Sequence, residues 1–143
     1  MEQKIIEYGG AEYQKMIDLR TKVLRIPLGL TFSEDFLIRD KDDILLACIN
    51  NKEMIGCCIL TLIDPKTFQL RQMAILDSFQ KKGIGSALIE FAEKIAKESL
   101  ATTMILHARK VVVDFYLKNG YHIEGEEFEE VNIPHLSMKK TLV

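Results

Sequence analysis

The sequence predicts a mixed α/β fold, a mostly antiparallel central sheet of six to seven strands flanked by about four helices, in a single domain over residues 1–143. Three observations predict it. The apolar, β-rich runs Ile44–Ile49, Met54–Ile63 and Thr67–Leu76 follow one another across short polar turns, the pattern of an antiparallel meander. A strand–helix–strand pattern precedes the meander and another follows it, which packs helices on a mixed sheet. The longest helix is marked by its period: Ile84, Ala87, Leu88, Phe91, Ala92, Ile95 and Ala96 fall on one face, and the other face is polar.

Lys4–Tyr8 is a short strand stopped by Gly9-Gly10, and Glu12–Arg25 is a helix with Tyr13, Met16, Ile17 and Val23/Leu24 on one face. Arg20 shares that face. Two readings of it stand: a stem packed at the stripe's edge with its head in solvent, or an inward-pointing cation beside a cleft. Pro27 and Gly29 break the helix. Thr31 or Ser33, with Glu34-Asp35, caps a short helix through Ile38. Asp40–Asp43 is a charged turn, while Asn50–Glu53 and Asp64–Lys66 are the turns of the meander. Thr102–Ala108 is the next strand. The β-branched run Val111–Val113 suits a strand, whereas Asp114, Lys118 and Gly120 suit the start, end and stop of a helix from about Lys110. Tyr121–Glu124 and Leu136–Leu142 close the fold, separated by acidic Glu124–Glu130 and by Ile133-Pro134-His135.

Composition narrows the function. A chain of 143 residues can bury its own core, and 48% hydrophobic with 28% charged residues is ordinary for a globular protein. A net charge of −2 without a basic stripe argues against nucleic acid as partner. No apolar run has the length of a membrane span, and the opening MEQKIIEYGG lacks the apolar core of a signal peptide. Cys48, Cys57 and Cys58 are odd in number and lack metal-ligand spacing, so they read as reduced, packed thiols in a cytoplasmic protein.

The chemistry concentrates at Gln80-Lys81-Lys82-Gly83-Ile84-Gly85, between the last meander strand and the long helix. A helix start ordinarily carries a Ser, Thr, Asp or Asn cap and acids in its first turn. Here lysines and glycines stand instead. Free backbone N–H groups, no Cβ in the way and added positive charge make a site for an anion, most naturally a phosphate. No Lys-Ser/Thr follows, so this is not a Walker loop, and Leu88 breaks the dinucleotide Gly-x-Gly-x-x-Gly pattern.

What remains is Gln-x-x-Gly-x-Gly between a strand and a helix, and with it the sequence resembles the Gcn5-related N-acetyltransferases (GNAT). Met73-Ala74-Ile75 is similar to the strand end of that family, and Asp114-Phe115-Tyr116-Leu117-Lys118-Asn119-Gly120-Tyr121 to its Phe-Tyr-x-x-x-Gly-Tyr segment. The resemblance covers most of the chain and favours the helix reading from Lys110. It implies acetyl-CoA as co-substrate, with no metal. The pyrophosphate would lie on Gln80, Lys81, Lys82, Gly83, Ile84, Gly85 and Ser86. The pantetheine arm would run along Met73, Ala74 and Ile75, the Ile75 N–H polarising the thioester carbonyl, with Phe115 also at the cofactor. Tyr116 would be the general acid, a phenol being protonated near neutral pH.

The general base is open. Where many relatives carry a strand glutamate, this chain has Gln69, and the candidates are His107, Glu130, His135 or a base acting through water. Ala108-Arg109 and Phe128-x-Glu130-x-x-Ile133-Pro134-His135-x-x-Met138 resemble the ElaA-like branch of the family, with Asn132 in place of a glycine. Arg109 replaces a cofactor-contacting asparagine, which suggests an anchor for the cofactor or for a carboxylate; a surface ion pair is the simpler reading. Glu130 and His135 either close over the acceptor or bond each other.

The sequence thus reads as an acetyl-CoA-dependent N-acetyltransferase acting on a primary amine of a small molecule or peptide, by direct attack in a ternary complex. Arg20 and His135 stand on the acceptor side. The alternative is a catalytically silent acyl-CoA-binding sensor module, favoured by the missing glutamate. A nucleotide-binding protein using the same helix start is a third. The acidic Glu124–Glu130 segment either faces a cationic amine or is a solvated turn. The carboxy-terminal strand allows pairing across a homodimer.

Overall fold

In the computed structural model, which describes residues 1–143, seven strands form one sheet. They are β1 (Glu2–Ile6), β2 (Ile44–Asn50), β3 (Glu53–Asp64), β4 (Thr67–Ile75), β5 (Thr103–Arg109), β6 (His122–Glu130) and β7 (Ile133–Thr141). The order is β1-β2-β3-β4-β5-β7-β6, antiparallel everywhere except the β4–β5 pair. Four helices flank it: α1 (Ala11–Arg20), α2 (Glu34–Leu37), α3 (Ile84–Glu98) and α4 (Val113–Lys118). No helix is long and apolar enough to cross a membrane.

Strand alternation sends neighbouring side chains to opposite faces. Leu46, Cys58 and Leu60 join Leu88, Ala92, Leu106 and Tyr116 in a core beneath α3 and α4. Leu45, Cys57 and Ile59 join Tyr13, Met16 and Leu19 beneath α1. The run Met54–Leu60 is buried throughout because helices cover both faces. Cys48, Cys57 and Cys58 are free, buried thiols.

The parallel pair opens. Its register runs from Thr67↔Thr103 to Leu70↔Leu106 and ends there. Beyond that point β4 bulges: Arg71 faces Ile59 and Ala74 faces Cys57, so Gln72 and Met73 together oppose Cys58, with Gln72 at φ 55. An extra residue bends and twists its strand, and this one carries β4 away from β5.

Several boundaries differ from expectation. β1 lies nearer the amino terminus, and the chain turns at Gly9 with φ 81. The first helix ends at Arg20, widens into a π turn over Thr21–Arg25 and tightens into a 3-10 turn over Ile26–Leu28. Thr21 Oγ1 donates to Ile17 O at 2.7 Å at this junction, a back-bond that bends helices. Asp40 is not in a solvated turn but in a 3-10 segment, Ile38–Asp42, and is fully buried. The helix from Lys110 forms, opening with a 3-10 turn over Lys110–Val112.

The acidic Glu124–Glu130 segment is strand rather than a connecting turn. A tight hairpin pairs Glu130 with Ile133, and Val131 and Asn132 turn it at φ 47 and 61. Asparagine tolerates that left-handed geometry, so it serves there in place of glycine. β7 is flanked by β5 and β6, so the carboxy-terminal strand has no free edge for pairing across a dimer; the free edges are β1 and β6.

Candidate active site

The start of α3 meets the requirements of an anion cradle. Gly83, its N-cap, sits at φ 82 and no side chain caps the helix. The first helical bond is Ala87 N–H to Gly83 O at 3.0 Å, so the N–H groups of Ile84, Gly85 and Ser86 have no acceptor within the helix. Lys81, at φ 60, and Lys82 are exposed beside them. A Cβ on Gly83 would meet nothing within 4 Å, which leaves the approach open. A Cβ on Gly85 would lie 2.9 Å from the Phe115 ring, so only glycine lets that ring lie flush on the first turn of α3.

Gln80 ties the loop to the strand end. Its Nε2 donates to Ile75 O at 3.0 Å and to Asp77 Oδ1 at 3.1 Å. Leu76 N–H donates to Ile55 O across to β3. By strand alternation the Ile75 N–H and C=O therefore point the other way, into the β4–β5 opening. Met73 packs against the α3 side, whereas Ala74 is buried on the α1 side, and the same alternation turns its backbone toward Cys57 on β3, away from the opening.

Tyr116 is 8% exposed, in the core beneath α3 and α4 against which Met73 and Ile75 also pack. Its ring stands edge-on to Phe115 at 5.0 Å and to Tyr121 at 6.1 Å. Burial raises its pKa well above the usual phenol value, with no hydrogen-bond partner contributing. The hydroxyl is therefore protonated and uncommitted. Burial also pushes the Cys57 thiol up to about 12 and the Cys58 thiol well above its usual value, so neither supplies a thiolate nucleophile.

The opposite face gathers the remaining candidates. On β5, Met104, Leu106 and Ala108 point to the α3–α4 core, which puts His107 and Arg109 on the α1 side. His107 Nδ1 lies 3.2 Å from Glu130 Oε1, and His135 Nε2 lies 3.6 Å from Glu130 Oε2. One carboxylate thus stands between two imidazoles. His135 is 4% exposed and its Nδ1 contacts Ile133 O at 2.8 Å; a carbonyl only accepts, so Nδ1 carries a proton and donates it. Phe128 packs against both rings, 5.1 Å from His107 and 5.9 Å from His135. No group of three or more His, Cys, Asp or Glu is arranged to hold a metal ion.

Arg20 points inward, but not into the opening. It is 0% exposed, and its Nη1 donates to Asp40 Oδ2 at 2.8 Å. Tyr13 OH donates to the same oxygen at 2.7 Å. The expectation of a solvated head is therefore corrected: α1 presses this residue against the sheet, and Asp40 neutralises it. Arg20 also lies 4.7 Å from the Phe32 ring, so it underpins a wall made by the segment between α1 and α2. The resemblance to the GNAT family implies a wall of the acceptor site in this region, but not the aromatic stack that builds it. Phe32 and Phe36 stack at 5.6 Å, with Arg25 over both rings and Arg71 over Phe36. Phe at i and i+4 around the Ser33 cap was its one sequence signal.

Residues 31–142 match the family model described as an acetyltransferase (GNAT) domain. The uncharacterized N-acetyltransferase YjcF of Bacillus subtilis (strain 168) is 37% identical over 73 residues, 50% of this chain and 52% of that protein. The chain spans about half the length of the curated relatives it matches. Its fold is similar to that of an aminoglycoside 6'-N-acetyltransferase complexed with coenzyme A, at TM-score 0.82 and 17% identity, covering 100% of this chain and 98% of that one. It is also similar to Escherichia coli ElaA, at TM-score 0.81 and 16% identity, covering 97% and 98%.

Proposed function

The chain belongs to the GNAT acetyltransferase family, and from that premise we propose that it transfers the acetyl group of acetyl-CoA to a primary amine of a small molecule or peptide, by direct attack in a ternary complex. The observation that carries this reading is the uncapped start of α3 just beyond the strand whose pairing with β5 stops at Leu70, with Ile75 packed against the core that holds Tyr116. The free N–H groups of Ile84, Gly85 and Ser86, with Lys81 and Lys82, fit a pyrophosphate. Met73 and Ile75 offer backbone to an amide-bearing arm, with Ala74 between them held to β3, and Phe115 lines it.

Acetyl-CoA, when bound, supplies a thioester whose carbonyl carbon the amine attacks and whose C–S bond breaks. The Ile75 N–H donates to the carbonyl oxygen as charge builds on it. The Tyr116 hydroxyl gives its proton to the departing sulfur. The amine loses its proton to His107, held by Glu130, or to water held by that pair. His135 closes the acceptor side behind Glu130. Arg109, on the α1 face, belongs with the acceptor more than with the pyrophosphate. Arg20, sealed under Phe32, positions the wall without touching the acceptor.

Calorimetric titration of coenzyme A tests the cradle, and thiol release across a panel of amines tests the transfer. Binding with release, lost in Tyr116→Phe, is the expected result. Binding with no release from any amine would instead make the chain an acyl-CoA sensor, and no heat of binding would sink both readings.

A further inference from the structure

One half of the acceptor face is cationic and lacks an anion. Arg20 is paired with Asp40 and Arg71 with Asp43, whereas Arg25 and Arg109 have no carboxylate within ion-pairing distance. Arg25 is half-buried in the π turn that follows α1, its guanidinium carbon 4.5 Å from the centre of the Phe32 ring and 5.5 Å from that of Phe36. Arg109 reaches the same turn, donating from Nη2 to Leu24 O at 3.0 Å; a guanidinium has five N–H donors, so most of its fork remains free. Burial, then the charges of Arg20 and Arg109, lower the Arg25 pKa, and only Glu130 acts against them. Partly dehydrated cations gathered in this way are unfavourable until they share an anion. Planar guanidinium forks match carboxylate and phosphate oxygens.

The position of this pair relative to the base is informative. Arg109 lies two residues beyond His107 on the same face of β5, roughly 6.6 Å along the strand. An acceptor held by an oxyanion at the arginines would therefore bring an amine only a few bonds away to the His107–Glu130 pair.

We propose that Arg25 and Arg109 form an oxyanion anchor, so that the acceptor is a small primary amine bearing a carboxylate or a phosphate rather than a polycation. This rests on the acetyl-transfer reading for the amine's fate, but the anchor itself is a binding site and can be measured without turnover.

Matched pairs of acceptors test it: β-alanine against β-alaninamide, and O-phosphoethanolamine against ethanolamine, with spermidine as the polycation. Each is titrated calorimetrically into protein saturated with coenzyme A, and each is assayed for thiol release with acetyl-CoA. The oxyanion member of at least one pair is expected to bind and to turn over at least about tenfold better, and the winning pair says which oxyanion fits. Arg25→Gln is expected to bring that ratio to about one. Arg25→Lys, which keeps the charge but loses the fork, is expected to leave an intermediate ratio and serves if the glutamine variant does not fold. Equal binding and turnover within both pairs, or preference for spermidine, overturns the anchor. Oxyanion-dependent binding without thiol release supports the anchor and overturns the transfer reading instead. Release from amines regardless of any oxyanion does the reverse.

Discussion

His107 and Glu130, 23 positions apart in the chain, bring Nδ1 and Oε1 to 3.2 Å at the mouth of the β4–β5 opening. The contact depends on the sheet order, because β7 lies between the two strands that carry them and Arg109 pairs with His135 across it. If this pair takes the amine's proton, His107→Gln lowers kcat by about 10²-fold or more, the range of general base catalysis. Glu130→Gln acts through the same imidazole, so the double variant is no worse than His107→Gln alone. Coenzyme A affinity, measured by calorimetry, stays within about twofold in all three, since the cradle lies on the other side of the sheet.

Tyr116→Phe separates catalysis from packing. The hydroxyl has no hydrogen-bonded partner contributing to its state, so its removal changes stability by less than about 1 kcal/mol in urea unfolding. The same variant loses about 10²-fold or more in kcat if the phenol protonates the leaving sulfur. A stability loss as large as the rate loss would make Tyr116 a core residue only.

Alkaline pH should unfold the protein through its buried tyrosines. Burial is the largest cause raising the pKa of Tyr13, Tyr116 and Tyr121, and Asp40 and Glu93 add to it at Tyr13 and Tyr121. Each folded-state pKa lies above the unfolded value of about 10. Their contribution is therefore complete below pH about 10 and declines as pH rises beyond it, where the unfolded chain releases protons that the fold retains. Urea midpoints measured from pH 8 upward should be flat and then fall above about 10. Phenylalanine at any of the three should shallow the fall.

The Arg20–Asp40 pair should matter for stability more than for substrate affinity. Both side chains are 0% exposed, and Arg20 Nε and Nη2 and Asp40 Oδ1 have no partner. Asp40→Ala leaves a buried cation and is expected to cost about 3–5 kcal/mol in urea unfolding. Exchanging both for apolar residues, as in Arg20→Met with Asp40→Leu, should recover most of that.

At Gly85 a methyl group would stand 2.9 Å from the Phe115 ring. Gly85→Ala should therefore displace the ring or the first turn of α3 and weaken coenzyme A binding by about tenfold or more. Gly83→Ala meets no neighbour but takes φ 82, and should cost roughly 1 kcal/mol of stability.

Much of this was legible in the chain because it is local. The period of α3, the glycines at its start and the meander's apolar runs are written within a few residues of where they act, and each appeared as expected. Local patterns misled where long-range partners intervened. Asp40 looks like one more charge in a polar turn until Arg20 and Tyr13 arrive from α1 to enclose it. The acidic run Glu124–Glu130 looks like a connecting loop until pairing with β7 draws it into a strand.

By itself the sequence determined the fold class and the helix start that suits an anion, while the aromatic segment carrying Tyr116 stood out through its resemblance to the GNAT segment. Periodicity and backbone chemistry are properties of neighbouring residues, so no tertiary contact is needed to read them. Only the tertiary structure decided which charges meet. The β7 strand between β5 and β6 brings Glu130 to both His107 and His135, the bulge at Gln72 opens the sheet, and the turn after α1 sets Arg25 on Phe32 near Arg109. Those encounters follow from register and crossover, and a one-dimensional pattern records on which face a side chain lies but not what it will find there.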